Sequence, residues 1–187
     1  IVGTHKFVAI PTSIHNPLED LQNLKRVHST NELDEVHSIE IAQEEMTIIY
    51  SVDSTLLQVI KRFQPNIKIY PSIYIYLTQL PTFPEYNKLF IRYIEGVVII
   101  VAVEGKKIVM CNSYPAHHFN SALYFLLSIM KEVQFNPEQT TVYISGNMKE
   151  LDIFDITKYF SKVKYYRNSE IPLYNSKWEL KYAELLF

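Results

Sequence analysis

The second half of the chain has the clearest alternation of apolar and polar positions. Residues 89–94, 97–103 and 108–113 are short runs rich in Ile, Val and Leu, separated by glycine-containing turns at 95–96 and 104–106. Runs of this kind joined by short turns are typical of hairpin-connected strands. The pattern therefore predicts three consecutive antiparallel β-strands.

A change to helical spacing follows these strands. Between Phe119 and Val133, apolar side chains recur every three or four residues in one stripe, and Asn136-Pro137 ends this helix. The pattern beyond predicts a strand at 141–144, a helix over 151–160, a strand at 163–166 and a last helix over 178–187. From residue 89 onward the predicted order is thus β-β-β-α-β-α-β.

The first half predicts another mixture of strands and helices. Strands are predicted at 6–10, 36–41, 46–52 and 67–70, and a short helix at 72–80. Asn16 followed by Pro17 predicts the start of one helix. A second helix begins at Asp53 or Ser54, either of which can cap it, and ends before Pro65.

The proline-bearing stretch 81–84 separates the two halves and predicts two domains, residues 1–84 and 85–187. The order found after residue 89 is that of the ribonuclease H-like fold, and two such units in tandem form the actin and sugar-kinase architecture. We therefore expect an α/β protein of two ribonuclease H-like (actin-like ATPase) lobes. Because the chain opens at Ile1 without a methionine, as if within an element, we expect the first lobe to lack its opening strands.

Composition and charge narrow the class of protein. The formal net charge is −2 and the pI about 6.3, whereas a nucleic-acid binder has a basic stripe or patch, so we expect no nucleic-acid partner. The most apolar run, residues 97–103, is far shorter than the roughly 20 residues that span a bilayer, so an integral membrane protein is not expected. The single cysteine, Cys111, excludes an intrachain disulfide and fits a cytoplasmic location.

Several stretches of the chain resemble a bacterial family of unknown function that has an actin-like ATPase fold. They are VVIIVAVEGKKIVMCNSY and HHFNSALYFLLSIMKEVQFNPEQTTVYISGN in the second half, and KFVAIPTSIHN and TIIYSVDSTLLQVIKRFQPNIKIYPS in the first. The resemblance spans nearly the whole chain and is one of pattern, without a catalytic motif. At the level of the fold, members are distantly similar to the pilus-assembly protein PilM and the division protein FtsA.

The resemblance implies where a nucleotide would lie. Actin-like ATPases hold phosphate in hairpin turns with an Asp and a Gly, and adenosine against a Gly-Gly turn. The second phosphate turn maps onto Glu95-Gly96-Val97, where Glu95 replaces the usual Asp with a longer side chain that intrudes on the space of a metal-bound phosphate. The adenosine turn maps onto Ser145-Gly146-Asn147, with one glycine where two are expected. Only four glycines occur in the chain, few for a protein whose loops wrap phosphates.

A nuclease of the ribonuclease H type would need three or four carboxylates around two metal ions. The available acids are Asp53, Glu95, Glu104, Asp152 and Asp155. Their predicted positions, on separate turns and at the start of a helix, give no cluster. The sequence therefore gives no support for this chemistry.

Other reactive side chains also have ordinary interpretations. His117-His118 are adjacent, unlike the i, i+4 pair that chelates a metal from a helix, and are predicted at an exposed helix start. Cys111 lies on a predicted strand without a basic neighbour, so it is interpreted as a core residue and not a nucleophile. No metal site is expected.

Tyrosines gather around the predicted boundary between the two halves. They are Tyr70, Tyr74, Tyr76, Tyr86 and Tyr93. Aromatic side chains with a polar end are favoured at interfaces, so they could contact a partner or line the seam between the two lobes.

The leading functional hypothesis is a non-catalytic actin-like scaffold or adaptor that binds a protein partner and has no cofactor. The alternative is a nucleotide-binding ATPase or kinase-like protein that uses Mg-ATP in a cleft between the lobes. The altered turn at Glu95-Gly96 and the low glycine count favour the first hypothesis.

Overall fold

The computed structural model describes residues 3–94 and 96–166 of the 187-residue chain. The chain divides into two units, Ile1–Ile75 and Tyr76–Phe187, and the division falls within the helix Ser72–Gln79. The boundary expected between residues 84 and 85 lies later in the chain and stays a prediction. The helix predicted over 178–187 lies outside the described residues.

A three-stranded antiparallel sheet with two helices forms the first unit. Its elements are β1 (Phe7–Pro11), α1 (Asp20–Val27), β2 (Asp34–Ile41), β3 (Met46–Asp53) and α2 (Ser54–Phe63), followed by α3 (Ser72–Gln79). The strand order is β1-β3-β2, with both outer strands antiparallel to β3. Ile48 and Ile49 are adjacent on β3 and both are buried, so this central strand is covered on both faces.

Both helix starts predicted in this unit are confirmed. The Asn16 side chain accepts a hydrogen bond from the Leu18 amide at 3.2 Å, at the beginning of a short 3₁₀ turn that leads into α1. The Asp53 carboxylate accepts from the amides of Thr55 at 2.8 Å and Leu56 at 3.1 Å. These side chains satisfy amide donors that the first turn of a helix leaves unpaired.

One predicted strand is wrong. Residues 67–70 form no strand with any residue in the described part of the chain. The outer strands of this sheet are β1 and β2, and residues 67–70 pair with neither of them. Instead, the carbonyl of Ile69 accepts a hydrogen bond from the Tyr50 hydroxyl at 2.8 Å, which fixes this segment through a side chain.

The second unit is a five-stranded mixed sheet with the order β6-β5-β4-β7-β8. Its elements are β4 (Asn87–Ile94), β5 (Val97–Glu104), β6 (Lys107–Pro115), α4 (Phe119–Glu132), β7 (Thr141–Gly146), α5 (Glu150–Thr157) and β8 (Lys162–Tyr165). The first three strands form an antiparallel meander, and β7 and β8 add in parallel beside β4. This confirms the predicted order β-β-β-α-β-α-β and the expected α/β class.

Helix α4 covers one face of this sheet. Its buried residues Phe119, Ala122, Leu126 and Ile129 pack in one cluster with inward-facing strand residues such as Ile100. These positions are three or four residues apart, which places them on one side of the helix. The apolar stripe predicted from the sequence is therefore the side that meets the sheet.

Aromatic rings fill the opposite face. The Tyr76 ring lies 4.2 Å from that of Phe90 and 5.0 Å from that of Tyr166, measured between centroids. The Phe83 ring lies 4.8 Å from that of Tyr143 in a tilted pair and 5.9 Å from that of Tyr166 in a stacked pair. Offset and edge-to-face ring pairs at these distances are favourable. The segment that precedes β4 is thereby fixed to the strands of the second unit.

Candidate functional site

The two turns singled out in the sequence lie at the same edge of the second sheet. β4 and β7 are parallel neighbours, with Tyr93 opposite Gly146, so both strands end at this edge. β4 leads into the turn that contains Gly96, and β7 leads into Asn147. The carboxyl ends of parallel strands are where α/β proteins commonly bind ligands. Glu95 lies outside the described residues.

Gly96 lies in a tight hairpin turn between Ile94 and Val97, which pair as the ends of β4 and β5. Its φ is +76°, a conformation that favours glycine. A Cβ at this position would lie 3.2 Å from Nδ1 of His117. The Gly96 carbonyl accepts a hydrogen bond from the Ala116 amide at 2.7 Å. The segment that follows β6 thus covers one side of this turn.

Gly146 is constrained even more closely. Its φ is +97°, and a Cβ here would lie 2.3 Å from the backbone oxygen of Tyr93. The same oxygen accepts a hydrogen bond from the Asn147 amide at 2.8 Å. The preceding Ser145 is buried beside Arg92, its partner in the β4–β7 register. Glycine is needed at this position because the backbones of β4 and β7 approach each other there.

A cavity of about 520 Å³ opens where β7 ends and α5 begins. Its lining residues come from the end of β7, the loop, the first turns of α5 and β8: Ile144, Ser145, Gly146, Asn147, Met148, Lys149, Glu150, Leu151, Ile153 and Tyr165. Apolar side chains with a few polar groups are typical of small-molecule sites, and they also accommodate a partner's side chain. Sequence analysis identified the Ser145-Gly146-Asn147 turn but missed the contributions of α5 and β8, which only the packing brings to it.

An aspartate in the first turn of α5 caps the N-terminus of this helix. The Asp152 carboxylate accepts a hydrogen bond from the Lys149 amide at 2.8 Å. Asp155 lies 2.6 Å from Lys158 in an exposed ion pair one turn further on. A carboxylate near a helix N-terminus is stabilised by the helix dipole, so these acids have structural partners.

The remaining acids of the nuclease hypothesis are dispersed. Asp53 caps α2, and Glu104 is an exposed residue at the end of β5. Across residues 3–94 and 96–166, no three His, Cys, Asp or Glu side chains are grouped so that they could hold a metal ion. His117 and His118 are both exposed, and His118 is the residue that precedes the first turn of α4.

The tyrosines of the predicted boundary separate into different environments. In the first unit, the rings of Tyr70 and Tyr74 lie 5.1 Å apart. Tyr76 is fully buried in the aromatic cluster of the second unit, Tyr93 packs edge-on against Phe119, and Tyr86 is exposed. The structure therefore places one of the five in the core of the second unit, one partly buried against that core and one on the surface.

Ionisable groups with clearly shifted pKa values hold loops of the second unit in place. Lys88 is fully buried, and its ammonium donates to the carbonyls of Phe83, Glu85 and Gly105 at 3.1, 2.6 and 2.6 Å, while burial lowers its pKa. Burial acts to raise the pKa of the Glu85 carboxyl, but hydrogen bonds from Lys164 and Tyr143, both at 2.5 Å, outweigh it and the pKa is lowered. Through the hydrogen bonds of Lys88 and Glu85, the loop before β4 is therefore attached to the strands of the sheet.

Two more shifts have simple causes. Burial raises the pKa of the Cys111 thiol well above its usual range, which favours the protonated form at neutral pH. Burial of the Tyr50 hydroxyl, with a smaller effect from Tyr70, raises its pKa to about 12. Cys111 is partly exposed on β6 and is not among the buried core residues, so its interpretation as a core residue is not confirmed.

No helix in the described part of the chain is both long enough and apolar enough to span a membrane. The longest of them is α4, with 14 residues. The cytoplasmic location expected from the sequence stays a prediction.

Comparisons with known proteins agree with the fold. A family profile described as "Protein of unknown function (DUF3822)" matches residues 1–166. A crystal structure from Bacteroides thetaiotaomicron VPI-5482, described as a protein with actin-like ATPase fold and unknown function, is similar with a TM-score of 0.80 and 16% identity. The match covers 86% of this chain but only 65% of that one. At this identity the similarity shows the fold alone.

A weaker similarity is to a chain of a PilM-PilN type IV pilus biogenesis complex. The TM-score is 0.45 and the identity 11%, over 86% of this chain and 65% of that chain. No protein of curated function shows significant sequence similarity to the chain. The similarity to the Bacteroides structure thus shows an actin-like ATPase fold, consistent with the resemblance seen in the sequence.

Proposed function

The chain belongs to the DUF3822 family of proteins of unknown function, and we propose that it is a non-hydrolysing actin-like protein that serves as an adaptor for a protein partner. Actin-like folds support both enzymes and assembly proteins, so the fold does not choose between these roles. The choice rests on the local geometry of the two turns at the edge of the second sheet.

The observation that supports the proposal is that both glycine turns are occupied by the chain's own atoms. The Asn147 amide donates to the Tyr93 oxygen, and Gly146 lies too close to that oxygen for any side chain. The imidazole of His117 lies against Gly96. Backbone positions that the family resemblance assigns to adenosine and phosphate therefore have partners within the protein, and each glycine has a structural reason to be there.

Exposed apolar side chains beside the cavity favour contact with another protein. Leu151 and Phe154 on α5 are 75% and 59% exposed, and Tyr159, just after the helix, is 51% exposed. Leu151 lines the cavity, and Phe154 is three residues further along α5 and so neighbours it on the helix surface; exposed apolar patches mark interaction sites more often than ordinary surface does. We infer that the surface around α5 takes part in binding the partner.

A second candidate function, nucleotide binding without hydrolysis, is favoured by one observation. The cavity is lined by the Ser145-Gly146-Asn147 turn, which is the position implied for adenosine, and its volume of about 520 Å³ lies in the range of small-molecule sites. ATP with Mg²⁺ is the cofactor that this alternative would require.

Calorimetric titration of the full-length protein with Mg-ATP and Mg-ADP, together with a phosphate-release assay, tests both proposals. We expect no phosphate release and no binding at millimolar nucleotide. Turnover that is lost in Glu95→Ala would overturn the adaptor proposal. Micromolar binding that is weakened by Leu151→Arg, at the cavity, but not by Leu18→Arg, at a similarly exposed position of the first unit, would establish the alternative.

A further inference from the structure

The outer edge of β2 presents an uninterrupted row of backbone hydrogen-bonding groups. The Ser54 amide donates to the Leu33 carbonyl at 2.8 Å, which continues the β2–β3 register. Because hydrogen-bonded and non-hydrogen-bonded pairs alternate along an antiparallel ladder, the amides and carbonyls of Val36, Ser38 and Glu40 point away from β3. These groups have no hydrogen-bond partner among the described residues. The edge therefore offers three successive outward-facing positions to another strand.

The outer edge of β1, on the other side of the same sheet, is largely closed. By the same alternation, Phe7, Ala9 and Pro11 point away from β3. The Phe7 carbonyl accepts a hydrogen bond from Nε2 of His28 at 2.8 Å, and Pro11 has no amide hydrogen to donate. Of the three outward positions, Ala9 alone has both an amide and a carbonyl that no described residue bonds.

The outer strands of the second sheet are protected in other ways. On β6, the Asn112 side chain accepts a hydrogen bond from the Ser113 amide at 3.0 Å, and Pro115 ends the strand without an amide hydrogen. A bulge also shifts the β5–β6 register beside Ala102, and β8 has only four residues. Prolines, bulges and short strands discourage unwanted strand pairing, and the eight-residue β2 has none of them.

Charge is what distinguishes the β2 edge chemically. Lys6 lies 2.7 Å from Asp34 and Lys61 lies 3.6 Å from Glu35, whereas Glu40 is exposed and has no ion pair with a described residue. Residues 32–45, which include the whole of β2, contain no Lys or Arg and six acidic residues: Glu32, Asp34, Glu35, Glu40, Glu44 and Glu45. Opposite charges across neighbouring strands are favourable and like charges are not, so this edge favours a basic strand.

We propose that an extended segment of a partner protein, bearing lysine or arginine, adds to β2 as a further strand of the first sheet; this inference rests on the adaptor function proposed above. Strand addition to an exposed edge takes its affinity from main-chain hydrogen bonds and its specificity from side chains. The outward amides and carbonyls of Val36, Ser38 and Glu40 supply the hydrogen bonds. A basic side chain directly opposite Glu40 would lie within about 5 Å of it, measured between Cβ atoms, and supplies the specificity.

The same charges disfavour a second copy of this chain as the occupant. Pairing of two β2 strands would bring the acidic side chains of residues 32–45 from both copies into one interface. Like charges on paired strands are destabilising, and this repulsion is a common way in which proteins prevent their own edges from joining.

The test uses the full-length protein and fluorescein-labelled eight-residue peptides, which match the length of β2, with binding measured by fluorescence anisotropy at low salt. One peptide alternates threonine with lysine, and a second alternates threonine with glutamate. A third has the lysine sequence with N-methyl groups on its central residues, which removes backbone donors and keeps the charge. We expect the lysine peptide to bind, and the other two to bind at least about tenfold more weakly.

Ser38→Pro removes the outward amide at the centre of the edge and places the proline ring against an incoming strand. Because this amide points away from β3, the β2–β3 ladder is kept. The variant should raise the dissociation constant of the lysine peptide at least about tenfold. Ala9→Pro, at an outward-facing position of β1, is the matched control and should bind the peptide as the wild type does. Thermal melts show whether both variants are folded.

Glu40→Lys tests the charge without changing the backbone of the edge. It should weaken binding of the lysine peptide about threefold or more and strengthen binding of the glutamate peptide, because the cross-strand charge pair changes sign. Glu138→Lys makes the same change in net charge at an exposed position of the second unit and should leave both affinities unchanged. Glu40→Lys and the N-methylated peptide decide the question if Ser38→Pro does not fold.

Any of four results would overturn the inference. They are no binding of the lysine peptide at millimolar concentration, equal binding of the lysine and glutamate peptides, equal binding of the N-methylated peptide, and affinities unchanged by the β2 variants. Self-association in ultracentrifugation that is lost in Ser38→Pro would also overturn it, since the occupant would then be a second copy. ATP turnover by the same preparation would contradict the adaptor proposal separately, so the two failures can be distinguished.

Discussion

Gly146 shows how a single residue can be fixed by a contact that is remote in sequence. A methyl group added there would lie 2.3 Å from the Tyr93 oxygen, and its φ of +97° is strained for any L side chain. Gly146→Ala should therefore lower the free energy of unfolding by about 2–4 kcal/mol, through backbone strain and steric overlap. Urea denaturation measures this change.

Gly3→Ala is the matched control, since a Cβ on Gly3 would meet nothing within 4 Å. Its denaturation midpoint should equal that of the wild type within error. An unchanged midpoint for Gly146→Ala would show that β4 and β7 can separate there, and the close approach would then not explain the glycine.

Glu85 predicts a pH dependence of stability. Its pKa is lowered in the folded protein, so folding favours the carboxylate. This contribution is present above the unfolded-state pKa of about 4.3 and is lost as the pH falls through the lowered folded value. The difference in unfolding free energy between wild type and Glu85→Gln should therefore narrow between about pH 5 and pH 2.

Urea denaturation at a series of pH values measures this difference, with the exposed Glu138→Gln as the control. If the difference in unfolding free energy between wild type and Glu85→Gln stays constant over this pH range, Lys164 and Tyr143 do not stabilise the ionised carboxylate.

At the scale of the element, α2 depends on its cap. Asp53→Ala removes the acceptor for the amides of Thr55 and Leu56. The expected cost is about 1 kcal/mol, the usual value for loss of an N-cap side chain. Gln58→Ala, on the exposed side of the same helix, should change the free energy of unfolding little, which thermal unfolding measures. An equal loss of unfolding free energy in both variants would contradict a specific capping role.

Elements that depend on local signals were predictable. The caps at Asn16 and Asp53, the stripe of α4 and the strands that flank two-residue or three-residue turns all follow from residues close together in sequence. The absence of a strand at 67–70 was not predictable, because its composition suits a strand but no strand in the described part of the chain pairs with it. A strand exists only where another strand offers hydrogen-bonding partners.

For the whole molecule, the aromatic cluster predicts where an autonomous second unit begins. A fragment starting at Tyr76 retains the ring that packs against Phe90 and Tyr166, whereas one starting at residue 85 loses Tyr76, Leu77 and Leu80, all fully buried. Loss of several core side chains costs several kcal/mol. The longer fragment should therefore unfold cooperatively in urea at a higher midpoint than the shorter one.

Equal midpoints for the two fragments would instead support the boundary predicted between residues 84 and 85. The far-ultraviolet circular dichroism of both fragments provides the necessary check that each one folds. A shorter fragment that fails to fold supports the same conclusion as a lower midpoint, since both show that the rings before residue 85 belong to the second unit.

Reading the sequence was enough to predict the α/β class, the order of the elements in the second unit and the positions of the two candidate turns, because each depends on periodicity and turn residues within a short window. The folded structure was needed to show that β7 lies beside β4, that Gly146 contacts Tyr93, that α5 and β8 complete the cavity, and that Leu56, Val59 and Phe63 of α2 are exposed. These features depend on which surfaces meet across long stretches of chain, and local patterns cannot specify the partner of a strand or the rotation of a helix on its sheet.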